Sequence, residues 1–273
     1  MSTTEAPSEL GALLRHWRSV RGKSQLDLAS EAGSTPRYVS FVETGRSQPS
    51  RQMVVRLARA LDVPLRERNE LLLAAGFAPL YSHEPLDSPL LQRVDRALTS
   101  MLAQHDPLPA VVMDRGWNLQ RANDGAVRLF TRLFAPAPMP ETANVLRLVV
   151  EPGPVRDRIT NWTDVVPALL ERARREAVAG VFDPDTAELV AGLRSRPDVA
   201  PLLAGPDVVA PVAPIVDLRF EVDDHELAFF SVVSTIGTPI DVTAQELRLE
   251  AFFPSDAATR AAWSALTGED RPS

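Results

Sequence analysis

The residues best suited to chemistry lie close together, at Thr35, Pro36, Arg37, Ser40 and Phe41. Arginine can donate two parallel hydrogen bonds to guanine, serine can meet either kind of base edge, and phenylalanine can meet a thymine methyl group. Val39 and Val42, three residues apart, define the opposite, inward side of a helix and leave this set facing out. Solvated helix faces usually carry Glu and Lys outside, not Pro, Phe and Tyr, as here. Phe41 has a second reading, as packing against a neighbouring helix or a second copy of the chain. Arg56 and Arg59 sit further along on another helix and read as a solvated face.

The elements that must position this set are legible. Thr35 is an N-cap and Pro36 the first helical residue, where a missing N–H costs nothing. The helix before it starts at Ser24, with Asp27 three residues on, and stops at Gly33. Two helices joined by a short glycine-containing turn are a helix-turn-helix, whose second helix enters the major groove. Leu10, Leu13, Leu14 and Trp17 give the first helix one apolar face. A fourth helix runs from Ser50 to Leu61 and a fifth from about Leu65 to Ala75, closed by Gly76. An all-α, five-helix domain over residues 1–76 is expected.

Charge separates this region from the rest. The whole chain of 273 residues has a formal charge of −7, which by itself argues against a nucleic-acid partner. Residues 10–60 nevertheless hold nine basic and three acidic side chains, while the chain from 81 onward holds 18 basic and 28 acidic. The sign of the total therefore does not decide whether one part meets DNA.

Residues 77–89 contain three prolines and no periodic apolar face, and read as a linker. Residues 90–273 read as a second domain. A helix over 90–104 precedes two short strands, Pro109–Asp114 and Trp117–Arg121. Helical texture returns at Asp124–Phe134, Asn161–Ala179 and Thr186–Ser195, and Asn144–Val150 fits strand or short helix. Three β segments come next, Ala213–Val222, Glu226–Ile236 and Gln245–Phe253, the first two joined by a turn at Asp223-Asp224-His225. A last helix covers Ala257–Leu266. This order predicts an α+β domain with an antiparallel sheet.

Several chemistries are disfavoured. The chain has no cysteine, hence no disulfide or thiolate metal site. His16, His83, His105 and His225 lack metal-ligand spacing, so neither a metal nor a cofactor is expected. There is no nucleophile elbow, phosphate loop or dinucleotide fingerprint, and no enzyme is expected. No apolar run suits a membrane helix, and the N-terminus has no signal-peptide character, so the expectation is a cytoplasmic protein with no membrane partner.

The joint spacing of Ser24-Gln25, Leu28-Ala29, Ala32-Gly33-Ser34, Glu43-Thr44-Gly45-Arg46 and Pro49-Ser50 resembles the Xre/Cro-type helix-turn-helix. The resemblance places Gln25 against the DNA backbone and Thr35, Pro36, Arg37, Ser40 and Phe41 nearest the bases. It places Arg46 and Arg51 near phosphates, and pairs Arg18 with Glu43 between the first and third helices. Gln25 read alone also fits a plain helix-start residue. The longer stretches 42–79 and 235–256, with Asn144–Leu148 and Asn161-Trp162, resemble the MmyB-like transcription regulators, which join such a reader to a C-terminal PAS-like ligand-binding domain.

That resemblance implies a small, largely apolar ligand such as a fatty acid. A homodimer on an approximately palindromic operator of double-stranded DNA is expected, since it would place two recognition helices in successive major grooves. Arg147, Asn161, Trp162, Asn123 and Phe230 are the candidate ligand residues. Each has a plainer reading as well: an ion pair for Arg147, helix N-caps for Asn161 and Asn123, core packing for Trp162 and Phe230. Repression is the expected direction. A C-terminal domain that only dimerises or binds proteins stays open as the alternative.

Overall fold

A computed structural model describes residues 8–180, 184–204 and 215–268, without the side chains of 177–180. The start of the expected β segment at Ala213 lies outside the described residues. By internal contacts the chain divides into two compact units. The first is built chiefly on residues up to Glu84 and also takes in Thr238–Gln245; the second holds Pro85–Arg175 and most of the chain beyond it.

Five helices form the first unit: α1 (Glu9–Val20), α2 (Gln25–Glu31), α3 (Pro36–Glu43), α4 (Arg51–Ala60) and α5 (Leu65–Ala74). Their starts are set locally. Ser24 and Asp27 form a reciprocal capping box, Thr35 accepts from Tyr38 N–H, and Ser50 accepts from Met53 N–H. Gly33 turns the chain out of α2 with φ +62°, and Ser34 N–H closes the turn on the Ala29 carbonyl at 2.8 Å. Leu14, Trp17, Leu28, Val39, Val42, Val54, Leu57 and Leu71 share one core. Gly11 lets α1 lie directly against the end of α3, where a Cβ would collide with the Glu43 backbone.

α5 begins behind Pro64 and has no side-chain cap of its own. The cap is supplied from far along the chain: Gln245 Oε1 accepts from Leu65 N–H at 2.6 Å. Gln245 was expected to open a strand, but it lies in a short helix, Val242–Glu246, that precedes that strand. Val242 N–H donates to the Ser82 carbonyl at 2.8 Å and Asp241 pairs with Ser82. Asn69 on α5 holds Leu80 and Tyr81 through three backbone hydrogen bonds.

The second unit is an α+β domain. After α6 (Gln92–His105) come β1 (Ala110–Met113), β2 (Leu119–Ala122), α7 (Asp124–Phe134), α8 (Val145–Val150), α9 (Trp162–Gly180), α10 (Pro184–Arg194) and α11 (Ala200–Leu203). Next are β3 (Leu218–Val222), β4 (His225–Thr235), β5 (Arg248–Pro254) and α13 (Ala257–Thr267); the short helix described above, α12, comes between β4 and β5 in the chain and lies almost wholly in the first unit. Asn144–Val150 resolves as helix α8, capped by Asn144. The five strands form one antiparallel sheet in the order β2-β1-β5-β4-β3. β3 and β4 are joined through Asp223 and Asp224, both with positive φ, as a tight hairpin turn needs.

Alternation along the strands sends side chains to two different cores. Ala110, Val112 and Leu249 face α6 and pack on Leu98 and Leu102. Val111, Met113, Phe220, Val222, Leu227 and Phe229 face the other way, into a larger core with Leu133, Leu146, Val166, Leu170 and Trp263.

Candidate functional site

Two candidate sites lie one in each unit. In the first, Val39 and Val42 on α3 are buried while Thr35, Pro36 and Arg37 are exposed and Ser40 and Phe41 half-buried. The Arg37 guanidinium lies over the Phe41 ring, 5.2 Å from its centre, so these two residues form one surface feature. Arg46 is exposed just beyond Gly45 (φ +76°), and its N–H closes the end of α3 on the Phe41 carbonyl at 2.8 Å. Arg51 is exposed at the first position of α4, its guanidinium 3.4 Å from the Ala78 carbonyl.

Gln25 stands at the first position of α2, and its side chain is engaged inside the protein. Its Nε2 donates to Glu43 Oε2 at 2.9 Å. Glu43 is only 1% exposed, and Arg18 holds it from the other side through Nε at 2.7 Å and Nη2 at 3.1 Å. Arg15 Nη2 adds a hydrogen bond to the Glu43 carbonyl at 3.0 Å. Burial alone would raise the pKa of Glu43; the hydrogen bonds from Arg18 and Gln25 and the charges of Arg18 and Arg15 outweigh it and hold the carboxyl below its usual value. This cluster fixes the end of α3 against α1 and the start of α2, so the exposed residues of α3 stand on a braced helix.

The second site is a cavity of about 190 Å³ between the larger-core face of the sheet and helices α7–α9. Its walls are mostly apolar, with Met113, Phe130, Val149, Leu169, Phe229 and Phe252 among them. One part is polar. Arg172 Nη1 donates to Glu250 Oε1 at 3.2 Å, and the Ser231 hydroxyl donates to the same oxygen. Trp117 lines the cavity too, 1% exposed, and its indole Nε1–H has no hydrogen-bond partner among the described residues. Its φ of +66° is a region bulky residues rarely adopt.

The residues that sequence reasoning nominated for the ligand lie elsewhere. Asn123 caps α7 and its side chain ties together Ala110, Leu102 and Leu108. Asn161 bonds the backbone of Asp217 and Arg219. Trp162 donates to the Val149 carbonyl at 2.9 Å, with the Arg156 guanidinium 3.8 Å from its ring centre. Arg147 pairs with Glu151 one turn on, at 2.8 Å. Phe230 lies on the α6 side of the sheet, stacked on Phe253. None of the five is among the residues lining the cavity.

The polar residues that do line it left a signal. Val165, Leu169 and Arg172 are spaced i, i+4, i+7, which puts the arginine on an apolar helix face. Glu250 alternates with Phe252 on the inward side of β5. Neither charge had a visible partner in sequence, since Arg172 and Glu250 are 78 residues apart. Among the described residues no group of three or more His, Asp or Glu could hold a metal ion, and no helix is long and apolar enough to cross a membrane.

Comparison with known proteins divides the chain in the same way. Residues 9–71 match the model of a helix-turn-helix domain. Residues 94–266 match the model described as the MmyB-like transcription regulator ligand binding domain. Two curated relatives are the endothelial differentiation-related factor 1 homologs of Gallus gallus, 30% identical over 63 residues, and of Danio rerio, 28% identical over 69. Those alignments cover 23% and 25% of this chain and 43% and 47% of the relatives, so the chain spans less than half the length of the curated relatives it matches. Both matched models describe regulatory modules, in keeping with a DNA-binding regulator rather than an enzyme. The ligand-binding-domain match covers more than half of the chain, which therefore belongs to the MmyB-like transcription regulators, with a helix-turn-helix domain ahead of the family's ligand binding domain.

Proposed function

We propose that this protein is a cytoplasmic, sequence-specific repressor whose DNA binding is controlled by a small apolar ligand. The reader occupies residues 1–76, a linker spans 77–89, and the regulatory domain runs from 90 to 273. A homodimer would place two α3 helices in successive major grooves about 34 Å apart, on an approximately palindromic operator. Arg37, Ser40 and Phe41, with Thr35 and Pro36 beside them, meet the bases. Arg46 and Arg51 meet phosphates, and Gln25 braces α3 from the start of α2.

The cavity of about 190 Å³ carries the ligand part of the reading. Its mostly apolar wall, with a few polar groups at one part, suits an acyl chain of the fatty-acid type. A ligand shifts the reader only by favouring one arrangement of the dimer over another. Thr238–Gln245 supports a route for that effect. It connects β4 and β5, the strands that carry Ser231 and Glu250, and it packs within the same compact unit as α5.

The test is an anisotropy titration of DNA selected by the full chain, with and without a lipid extract. A change in affinity of about five-fold or more is expected, the lower end of ordinary allosteric coupling. Unchanged affinity, with no adduct by native mass spectrometry, favours the alternative in which the domain only dimerises.

A further inference from the structure

The chain leaves the second unit after β4 and returns to it at β5, and the residues between, Thr238–Gln245, belong to the first unit. They are tied in there by specific bonds. Val242 N–H donates to the Ser82 carbonyl at 2.8 Å, the Thr243 hydroxyl to the Glu84 carbonyl at 2.6 Å, and Glu84 N–H to Asp241 Oδ2 at 3.3 Å. Asp241 is 2% exposed, and its Oδ1 accepts from Ala244 N–H at 3.2 Å, so one buried carboxylate both starts α12 and joins it to Glu84. Gln245 Oε1 then accepts from Leu65 N–H, the first of the orphan donors of α5, for which Pro64 has no side-chain acceptor.

The residues that follow Gln245 are anchored in the second unit. Glu246 pairs with Arg115 Nη1 at 3.0 Å, and Leu247 is buried with Leu98 and Leu102. Arg115 lies in the turn between β1 and β2, beside Gly116 and the cavity-lining Trp117. Arg248 holds the same turn, its Nη2 donating to the Asp114 and Arg115 carbonyls at 3.0 and 3.1 Å, with its guanidinium 5.0 Å from the centre of the Trp117 ring. Residues 246–248 therefore connect a wall of the cavity to the cap of α5.

We infer that Gln245 is a positioning residue of the DNA reader and the point at which occupancy of the cavity reaches it. The inference rests on the reading of this cavity as the ligand site and adds the residues that carry the regulation. An occupant that displaces Trp117 moves the turn held by Arg248 and Glu246, and so makes or breaks the cap. A capped first turn is helical and an uncapped one frays, which gives two discrete states for an occupant to bias. α5 bears on the recognition helix because Leu71 and Leu72 share one core with Val39 and Val42.

The experiment is hydrogen–deuterium exchange of the full chain, as wild type, Gln245→Ala and Gln245→Glu, each with and without decanoate as the fatty-acid probe. Glutamate keeps the acceptor and adds a charge favoured at a helix N-terminus, so it should retain the cap. Without decanoate, α5 amides should exchange about five-fold faster in Gln245→Ala than in wild type, and no faster in Gln245→Glu. Decanoate should slow exchange in the cavity-lining helix α9 of all three proteins. It should change exchange in α5 by a similar factor in wild type and Gln245→Glu alone. Equal exchange of α5 in wild type and Gln245→Ala without decanoate overturns the positioning role. Slowed exchange in α9 with α5 unaltered in wild type, or altered alike in Gln245→Ala, overturns the transmission and leaves the ligand site standing. No slowing in α9 overturns the ligand-site reading and the transmission together. If Gln245→Ala does not fold, the response of α5 to decanoate in wild type and Gln245→Glu decides.

Discussion

Arg18 grips Glu43 through two parallel hydrogen bonds, Nε to Oε1 at 2.7 Å and Nη2 to Oε2 at 3.1 Å, joining α1 to the last residue of α3. The same arginine donates Nη1 to the Lys23 carbonyl at 3.0 Å, just before α2. One side chain thus ties three elements around the helix-turn-helix, and the reader's geometry depends on it.

Arg18→Met should destabilise the first unit by about 2–4 kcal/mol, because it strands a buried carboxylate. Partial solvent access to Arg18 keeps the expected loss toward the lower end. Urea unfolding monitored in the full chain measures it. A loss under about 1 kcal/mol would show that the pair is replaceable.

Acid should weaken the same unit. The folded-state pKa of Glu43 lies below its ordinary value, so its contribution is complete above the unfolded carboxylate range near pH 4.3 and is lost as pH falls through the lower, folded value. Glu43→Gln should start less stable and lose less on acidification. Melting temperatures taken from pH 6 to pH 3 check this, and parallel profiles for the two proteins would contradict it.

Arg37→Ala should weaken specific DNA binding by about 1–3 kcal/mol and relax selectivity at one base position. The substitution also removes the guanidinium stacked on Phe41. Arg51→Ala should instead weaken binding evenly across sequences and lower the salt dependence. Titrations of several DNA sequences at two salt concentrations separate the two effects.

Asn123→Ala should cost about 2–4 kcal/mol in the second unit. Its Oδ1 accepts from Ala110 and Ala126 N–H at 2.8 and 2.9 Å, and its Nδ2 donates to the Leu108 and Leu102 carbonyls at 2.8 and 3.2 Å. Removing one side chain strands four backbone groups in a buried place. Asn123→Asp should not rescue stability, because it keeps the acceptor but loses both donors. Chemical denaturation of the two variants is the measurement, and a fully stable aspartate variant would show that the donors contribute little.

The features readable in sequence are those that act within a few residues. Ser24 with Asp27, Thr35 with Pro36, and Gly33 fix the starts and stops of α2 and α3 through neighbouring backbone groups. The Asp223-Asp224 turn fixes the β3–β4 hairpin in the same way. Asn144–Val150 stayed ambiguous because six apolar-rich residues fit either period, and the Asn144 cap that selects helix is one weak contact at 3.3 Å. The insertion of β5 between β1 and β4 is a long-range pairing that no local pattern encodes. The polar end of the cavity was missed for the same reason. Arg172 and Glu250 each looked like an isolated charge, and only the packing of α9 over the sheet joins them. Arg147, the charge that drew attention instead, is satisfied by Glu151 four residues away.

Sequence-specific reading by α3 is the central claim, and selection of bound sequences from a random DNA pool by the full chain tests it most directly. Wild-type protein should enrich an approximately palindromic site with half-sites about one helical turn apart, and Arg37→Ala should lose preference at one position in each half. Recovery of no common sequence by wild-type protein, or of the same sequence with equal preference by Arg37→Ala, would contradict the account.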